Sequence, residues 1–137
     1  MTTVLFACVH NAGRSQIAAA LFNAHADPQT ATAISAGTRP AAQVHPEVVE
    51  VMRSRGIDLS GAAPQQLTDA LTRQAQWLIT MGCGDQCPIV PGAHREDWPI
   101  ADPKGQPSDA IAAIVIDIER RVRGLIAAQR WQRLAAR

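Results

Sequence analysis

A chain of 137 residues, 47% of them hydrophobic and 18% charged, has the length and balance of one globular domain and excludes a disordered or fibrous reading. A net charge of +1 removes the electrostatic motive for nucleic acid or an anionic membrane as the main partner, and no apolar run is long enough to span a bilayer. With no basic segment ahead of the first apolar run, the expectation is a cytoplasmic protein folded as a single domain over residues 1–137 and acting on small molecules.

Residues 3–7 (TVLFA) form a short apolar, β-branched run suited to a buried parallel strand. Residues 14–26 follow as a helix, with Ile17, Ala18, Leu21 and Phe22 at helical spacing. Residues 32–36 (TAISA) read as a second strand closed by Gly37. Residues 45–55 (HPEVVEVMRSR) read as an amphipathic helix with His45 at its cap, Pro46 in its first turn and Gly56 at its end. A weaker helix over 64–73 precedes a third strand at 77–81 (WLITM). Residues 82–91 (GCGDQCPIVP) are a loop rich in breakers, 95–100 an edge strand and 101–107 a turn. From Ser108 onward, Ile111, Ile114, Val115, Ile118, Val122, Leu125 and Ile126 mark one face of a helix that Trp131 continues. Strands alternating with helices predict an α/β fold whose parallel sheet is covered on both faces and binds ligands at the carboxyl ends of its strands.

The chemistry concentrates at the first such end. Cys8 closes the first strand, and Arg14 opens the first helix six positions later. Five residues between them suffice to curl the backbone so that successive N–H groups point inward, a nest for an anion above a helix N-terminus. Gly13 is expected to allow a conformation closed to other residues. Arg14 adds a planar charged fork for two oxygens of a tetrahedral oxyanion. Ser15 is expected to cap the helix and hydrogen-bond Cys8, and Asn11 to brace the loop. The same positive field favours the thiolate, the nucleophilic form of sulfur.

The segment CVHNAGRS resembles the oxyanion loop of the low-molecular-weight protein tyrosine phosphatase family, and the RSQ that runs beyond it, with Gln16, resembles that family's arsenate reductase branch. ISAGT (34–38), HPEVVEVMRSRGIDLS (45–60), WLITMGCGDQCP (77–88) and ADPKG (101–105) resemble arsenate reductase segments in the same order, so the likeness covers nearly the whole chain. It implies a three-layer α/β/α fold around a four-stranded parallel sheet. It implies Cys8 as nucleophile, Arg14 as oxyanion ligand and Asp102, before Pro103, as general acid. Residues 9–15, namely Val9, His10, Asn11, Ala12, Gly13, Arg14 and Ser15, would hold the oxyanion. Asp102 also has a physical case, because expelling an oxygen from phosphorus or arsenic needs a proton donor opposite the nucleophile. Asp-Pro is equally an ordinary turn dipeptide.

A phosphatase of this type needs one thiol, whereas reducing arsenate takes two electrons that thiols can supply. Cys83 and Cys87 follow the third strand at the same sheet edge as Cys8. By resemblance, Cys8 attacks arsenate, Cys83 attacks Cys8 to release arsenite, and Cys87 takes the disulfide to the surface for thioredoxin, each sulfur step being thiol–disulfide exchange. Residues four apart on an intact helix keep their Cβ atoms about 5–6 Å apart, against the roughly 3.8 Å of a disulfide. A Cys83–Cys87 bond therefore requires the irregular backbone that Gly82, Gly84 and Pro88 make available.

Alternatives stay open for this pair: small buried hydrophobes, a zinc site with His94, or bystanders while an external thiol such as mycothiol or glutathione attacks the arsenic. The last would make the protein an arsenate–mycothiol transferase served by a glutaredoxin-type partner, as the resemblance to actinobacterial-type members suggests. Phosphate or sulfate would compete for the loop. Tyrosine phosphatase activity is disfavoured, because Lys104 and Gly105 follow the Asp-Pro pair and the chain has no tyrosine to wall an aromatic substrate. A non-enzymatic oxyanion or redox sensor would need the loop but not Asp102. No resident cofactor or metal is expected. Ala19 stands where many relatives carry a glutamate for potassium, and Asn11 and Ser35 remain to support the loop. Gly13 stands where many have a second cysteine. His10 either tunes Cys8 or points outward, and Arg39 is a candidate for attracting the anion.

Overall fold

The computed structural model describes residues 1–83 and 92–133, and Cys87 lies outside them. Four strands form one sheet: β1 (Thr2–Cys8), β2 (Ala31–Gly37), β3 (Trp77–Thr80) and β4 (His94–Asp97). Their order is β2-β1-β3-β4 and every pairing is parallel. Helices α1 (Arg14–His25), α2 (Pro46–Ser54), α3 (Asp69–Gln74) and α4 (Ser108–Gln129) complete the chain. The expected fold class is the one observed. Because the chain passes from β1 out to β2 and then back across β1 to β3, the strand order reverses beside β1. That reversal leaves a crevice at the carboxyl end of β1, where Cys8 stands.

Burial explains why β1 carries no polar side chain between Val4 and Ala7. Val4 to Cys8 are all buried, alternating between two cores. Val4, Phe6 and Cys8 face the larger core, built with Ile17, Leu21 and Phe22 of α1, Val48 and Met52 of α2, and Ile111, Val115, Ile118 and Val122 of α4. Leu5 and Ala7 face a smaller one, with Ala36, Ala75, Leu78 and Cys83, against Leu67 and Leu71. The α4 stripe is buried as expected, with Ile114 partly covered.

Three expectations are corrected. The weak helix at 64–73 begins only at Asp69, where Thr68 caps it by accepting from Leu71 N–H at 3.2 Å. Residues 65–67 are instead extended beside β2, with Gly37 N–H donating to the Gln65 carbonyl at 2.9 Å and Leu67 N–H to the Gly37 carbonyl at 2.8 Å. Tertiary pairing outweighs local propensity there. The edge strand spans His94–Asp97 rather than 95–100, so Pro99 falls beyond it and interrupts no ladder. Trp131 does not continue α4. The helix stops at Arg130, which takes a left-handed conformation (φ 61°), and the chain turns back. Trp131 then packs edge-on against Phe22 and Trp77, with ring centroids 5.9 Å from each.

Candidate active site

The loop after β1 is held from outside by its carbonyls. Val9, His10 and Ala12 carbonyls accept from Arg39, Ala41 and His45 N–H groups at 2.8, 2.9 and 2.9 Å. In a trans peptide the C=O of one residue and the N–H of the next point opposite ways. Tying these three carbonyls outward therefore turns the N–H groups of His10, Asn11 and Gly13 inward. Asn11 N–H indeed lies 3.3 Å from Cys8 Sγ. The inward amides and the N-terminus of α1 together form a concave, donor-lined nest of the kind that suits an anion.

Cys8 is 2% exposed and a free thiol. Ser15 Oγ lies 2.8 Å from its sulfur and accepts from Asn11 Nδ2 at 2.7 Å. Ser15 was expected also to cap α1. It sits inside the first turn, Gly13 occupies the cap position, and no side chain caps that end. The hydroxyl is committed to sulfur instead. Gly13 has φ −141° and ψ −90°, neither helical nor extended, and the positive φ in this loop belongs to Asn11, at 50°. Glycine is required at 13 for space, since a Cβ there would stand 2.7 Å from Pro103 Cγ.

Arg14 reaches across the sheet edge. Its Nη1 donates to the Ile100 carbonyl at 3.3 Å, and its Nη2 stands 3.9 Å from Asp102 Oδ2. Gly82, at φ 94°, lies directly under the guanidinium, and a Cβ there would overlap it. Asp102 is half-exposed, and its other oxygen accepts from Lys104 N–H at 3.0 Å. With Pro103 against Gly13, the Asp-Pro turn is seated on the loop. The site thus places a thiol, a charged fork and a carboxyl on one rim. Chemically, a thiol can serve as a nucleophile, a guanidinium as an oxyanion ligand and a carboxyl as a group that passes a proton.

Cys83 is buried in the smaller core, its Sγ 4.0 Å from the Ala7 carbonyl, and it is disulfide-bonded. Cys8 and Cys83 are therefore at one sheet edge but in cores on different sides of β1. A disulfide sulfur is no thiolate ligand for zinc, His94 stacks on Trp77 at 4.6 Å, and no three metal-ligating side chains cluster among the described residues. His10 is turned to the rim, its Nδ1 3.1 Å from the Arg39 carbonyl, and Arg39 is exposed. His45 stands at the cap of α2 but makes no side-chain cap bond. Sequence reasoning missed Gln16 and Gln65, which meet Asn11 from behind, and the Ile100 carbonyl that aims Arg14. The RSQ tripeptide carries Gln16 into the resemblance without giving it a role.

The sequence matches the low molecular weight phosphotyrosine protein phosphatase family over residues 3–135. It is 36% identical over 121 residues to a putative arsenate reductase of Halobacterium salinarum, covering 85% of each chain. It is 30% identical to a glutaredoxin arsenate reductase of Synechocystis, over 93% of this chain and 98% of the relative. The fold is similar to that of a thioredoxin-dependent arsenate reductase of Corynebacterium glutamicum, with a TM-score of 0.82 and 43% identity. That match covers 95% of this chain, which spans 62% of the length of the solved chain.

Proposed function

The chain belongs to the low molecular weight phosphotyrosine protein phosphatase family, and from that membership we propose that it is an arsenate reductase that draws its electrons from thiols. Within the family the alternatives are hydrolysis, which needs one sulfur, and reduction, which needs two. The observation that carries the choice is a second sulfur, Cys83, disulfide-bonded at the same sheet edge as the free Cys8. Relatives named arsenate reductases support it.

In the proposed reaction, arsenate sits in the nest of loop N–H groups from residues 9–15, held by the Arg14 fork. The Cys8 thiolate attacks arsenic, and Asp102 passes a proton to the departing oxygen, which leaves as water. The Cys83 thiolate then attacks Cys8 sulfur. The S–As bond pair returns to arsenic, As(V) becomes As(III), and arsenite leaves behind a Cys8–Cys83 disulfide. Attack of Cys87 on Cys83 frees Cys8, and an external dithiol reduces the remaining bond. Because the two sulfurs occupy different cores, the second step requires Cys83 to leave its seat in the core of Leu5 and Ala7.

We take the external reductant to be thioredoxin, named for the Corynebacterium structure, and the working compartment to be a reducing cytoplasm. The second reading, an external monothiol with a glutaredoxin-type partner, is favoured by the name of the Synechocystis relative. The test is arsenite formation by the purified protein in two mixtures, one with thioredoxin, its reductase and NADPH, the other with mycothiol and its glutaredoxin-type partner. Turnover in the first, lost in Cys83→Ser and Cys87→Ser, supports the protein relay. Turnover only in the second makes the chain a transferase. Activity in neither, with hydrolysis of p-nitrophenyl phosphate, returns it to the phosphatases.

A further inference from the structure

Gln16 is 7% exposed, on the first turn of α1, and faces away from the anion nest. Its Nε2 lies 3.1 Å from the Asn11 carbonyl, 3.2 Å from Asn11 Oδ1 and 3.3 Å from the Ala63 carbonyl. Two of these acceptors are main-chain oxygens, so the atom facing them is the amide nitrogen. Asn11 is fully buried with φ 50°, a left-handed conformation that non-glycine residues keep only where their surroundings hold it.

The orientation of the Asn11 amide follows from its neighbours. Gln65 N–H, a donor only, stands 2.9 Å from one side-chain atom, which must be the oxygen. The nitrogen of the same amide therefore faces Ser15 Oγ, at 2.7 Å. Ser15 Oγ accepts from Asn11, and toward a Cys8 thiolate, which can only accept, it directs its single proton across the 2.8 Å to Sγ. Donors thus run in one direction, from Gln16 and Gln65 through Asn11 and Ser15 to sulfur. Without the donors at its oxygen, the Asn11 amide is free to turn over, present a carbonyl to Ser15 and draw the hydroxyl proton away from sulfur.

We propose that Gln16 is a positioning residue for the nucleophile: its amide ties the Asn11 carbonyl to the Asn11 side-chain oxygen, holds Asn11 in the left-handed conformation and, together with Gln65 N–H, keeps the direction of the Asn11–Ser15–Cys8 hydrogen-bond chain. This rests on the reading of Cys8 as the nucleophile. Gln16 makes no contact with sulfur and meets the loop through the carbonyl and side-chain oxygen of Asn11 rather than through the inward N–H groups, so its loss is expected to weaken the chemical step more than anion binding.

The test uses a Cys83→Ser, Cys87→Ser background, in which Cys8 is the only thiol. The rate of alkylation by iodoacetamide is followed against pH in that protein and with Gln16→Met added, which keeps the unbranched length and removes the donors. The midpoint is expected to move to higher pH by about one unit, a tenfold change in the sulfur's proton equilibrium. In the full chain, Gln16→Met is expected to lower kcat about tenfold and to leave KM for arsenate within about twofold. An unmoved midpoint, or equal losses in kcat and KM with only a lower melting temperature, overturns the proposal and leaves Gln16 a merely structural residue. Should Gln16→Met fail to fold, the wild-type protein answers instead. Side-chain amide protons of Gln16 and Asn11 are expected to exchange slowly with solvent, and exchange at free-amide rates overturns the proposal. Arsenite production surviving Cys8→Ser would defeat the reading of the nucleophile itself, an outcome distinct from any of these.

Discussion

The two ends of the sheet are built on opposite terms. At the carboxyl end, buried Asn11, Ser15 and Gln16 join Cys8 in a chain of hydrogen bonds, Asn11 holds a positive φ, and Gly13 and Gly82 leave no room for a methyl group. At the amino end, Phe22, Trp77 and Trp131 meet edge-on and His94 stacks on Trp77. Close by, His25 Nε2 and Arg55 Nη2 reach the two oxygens of Glu119 at 3.0 and 2.9 Å, tying the ends of α1 and α2 to α4. One end keeps polar groups dry and aimed, which costs stability unless each is satisfied. The other joins elements through apolar area and contacts that tolerate adjustment. The division teaches that the first end should be sensitive in rate and the second in stability.

The sharpest break in that division would come from Cys8→Ser. Arsenite formation is expected to fall at least about 10⁴-fold, as when a covalent nucleophile is removed, with the melting temperature within a few degrees of wild type by calorimetry. Asp102→Asn keeps the shape and the bond from Lys104 N–H while removing the transferable proton. It is expected to lower kcat by about 10²–10⁴ and to leave arsenate binding by titration calorimetry unchanged; a parallel loss of binding would mean that Asp102 serves the loop rather than the reaction.

At the other end the sign of the effect reverses. Phe22 is fully buried, and Phe22→Ala is expected to destabilise by about 3–5 kcal/mol in urea unfolding, with kcat per folded molecule unchanged. The smallest effect belongs to Glu119. Its carboxyl is held below the ordinary 4.5, first by the hydrogen bond from His25 and then, against the opposing cost of burial, by the charge of Arg55. A depressed acid stabilises the fold above its unfolded value and loses that contribution as pH falls through its folded one. Glu119→Gln is therefore expected to cost about 1 kcal/mol at pH 6, an exposed fifth of the side chain tempering the interaction, and nothing well below pH 4. Equal costs at both pH values would show that packing, not charge, holds the junction.

The same contrast governs what could be read from the amino acids alone. Cys8, Arg14 and Ser15 are legible because strand end, turn and helix start are consecutive, so local rules place them. The α4 stripe is legible because its period is uninterrupted over six buried positions. Gln65 and Ile100 were not, since they meet the loop from 54 and 86 residues away through main-chain atoms that any residue supplies. Gln16 is local, but a glutamine on a helix normally faces solvent, and only the fold turns this one inward. The late start of α3 and the turn at Arg130 escaped for a related reason. Residues 65–67 are drawn into extended backbone by Gly37, and the left-handed stop of α4 falls on an arginine with no glycine to announce it.

The most direct test of the sulfur relay is a single-turnover measurement. Fully reduced protein is mixed with arsenate without any external reductant, and arsenite and remaining free thiols are counted together. One arsenite released and two thiols lost per chain, with neither in Cys8→Ser, is the predicted result. Arsenite that appears only after an external thiol is added, or thiols that disappear without arsenite, would contradict a relay carried by the protein's own sulfurs.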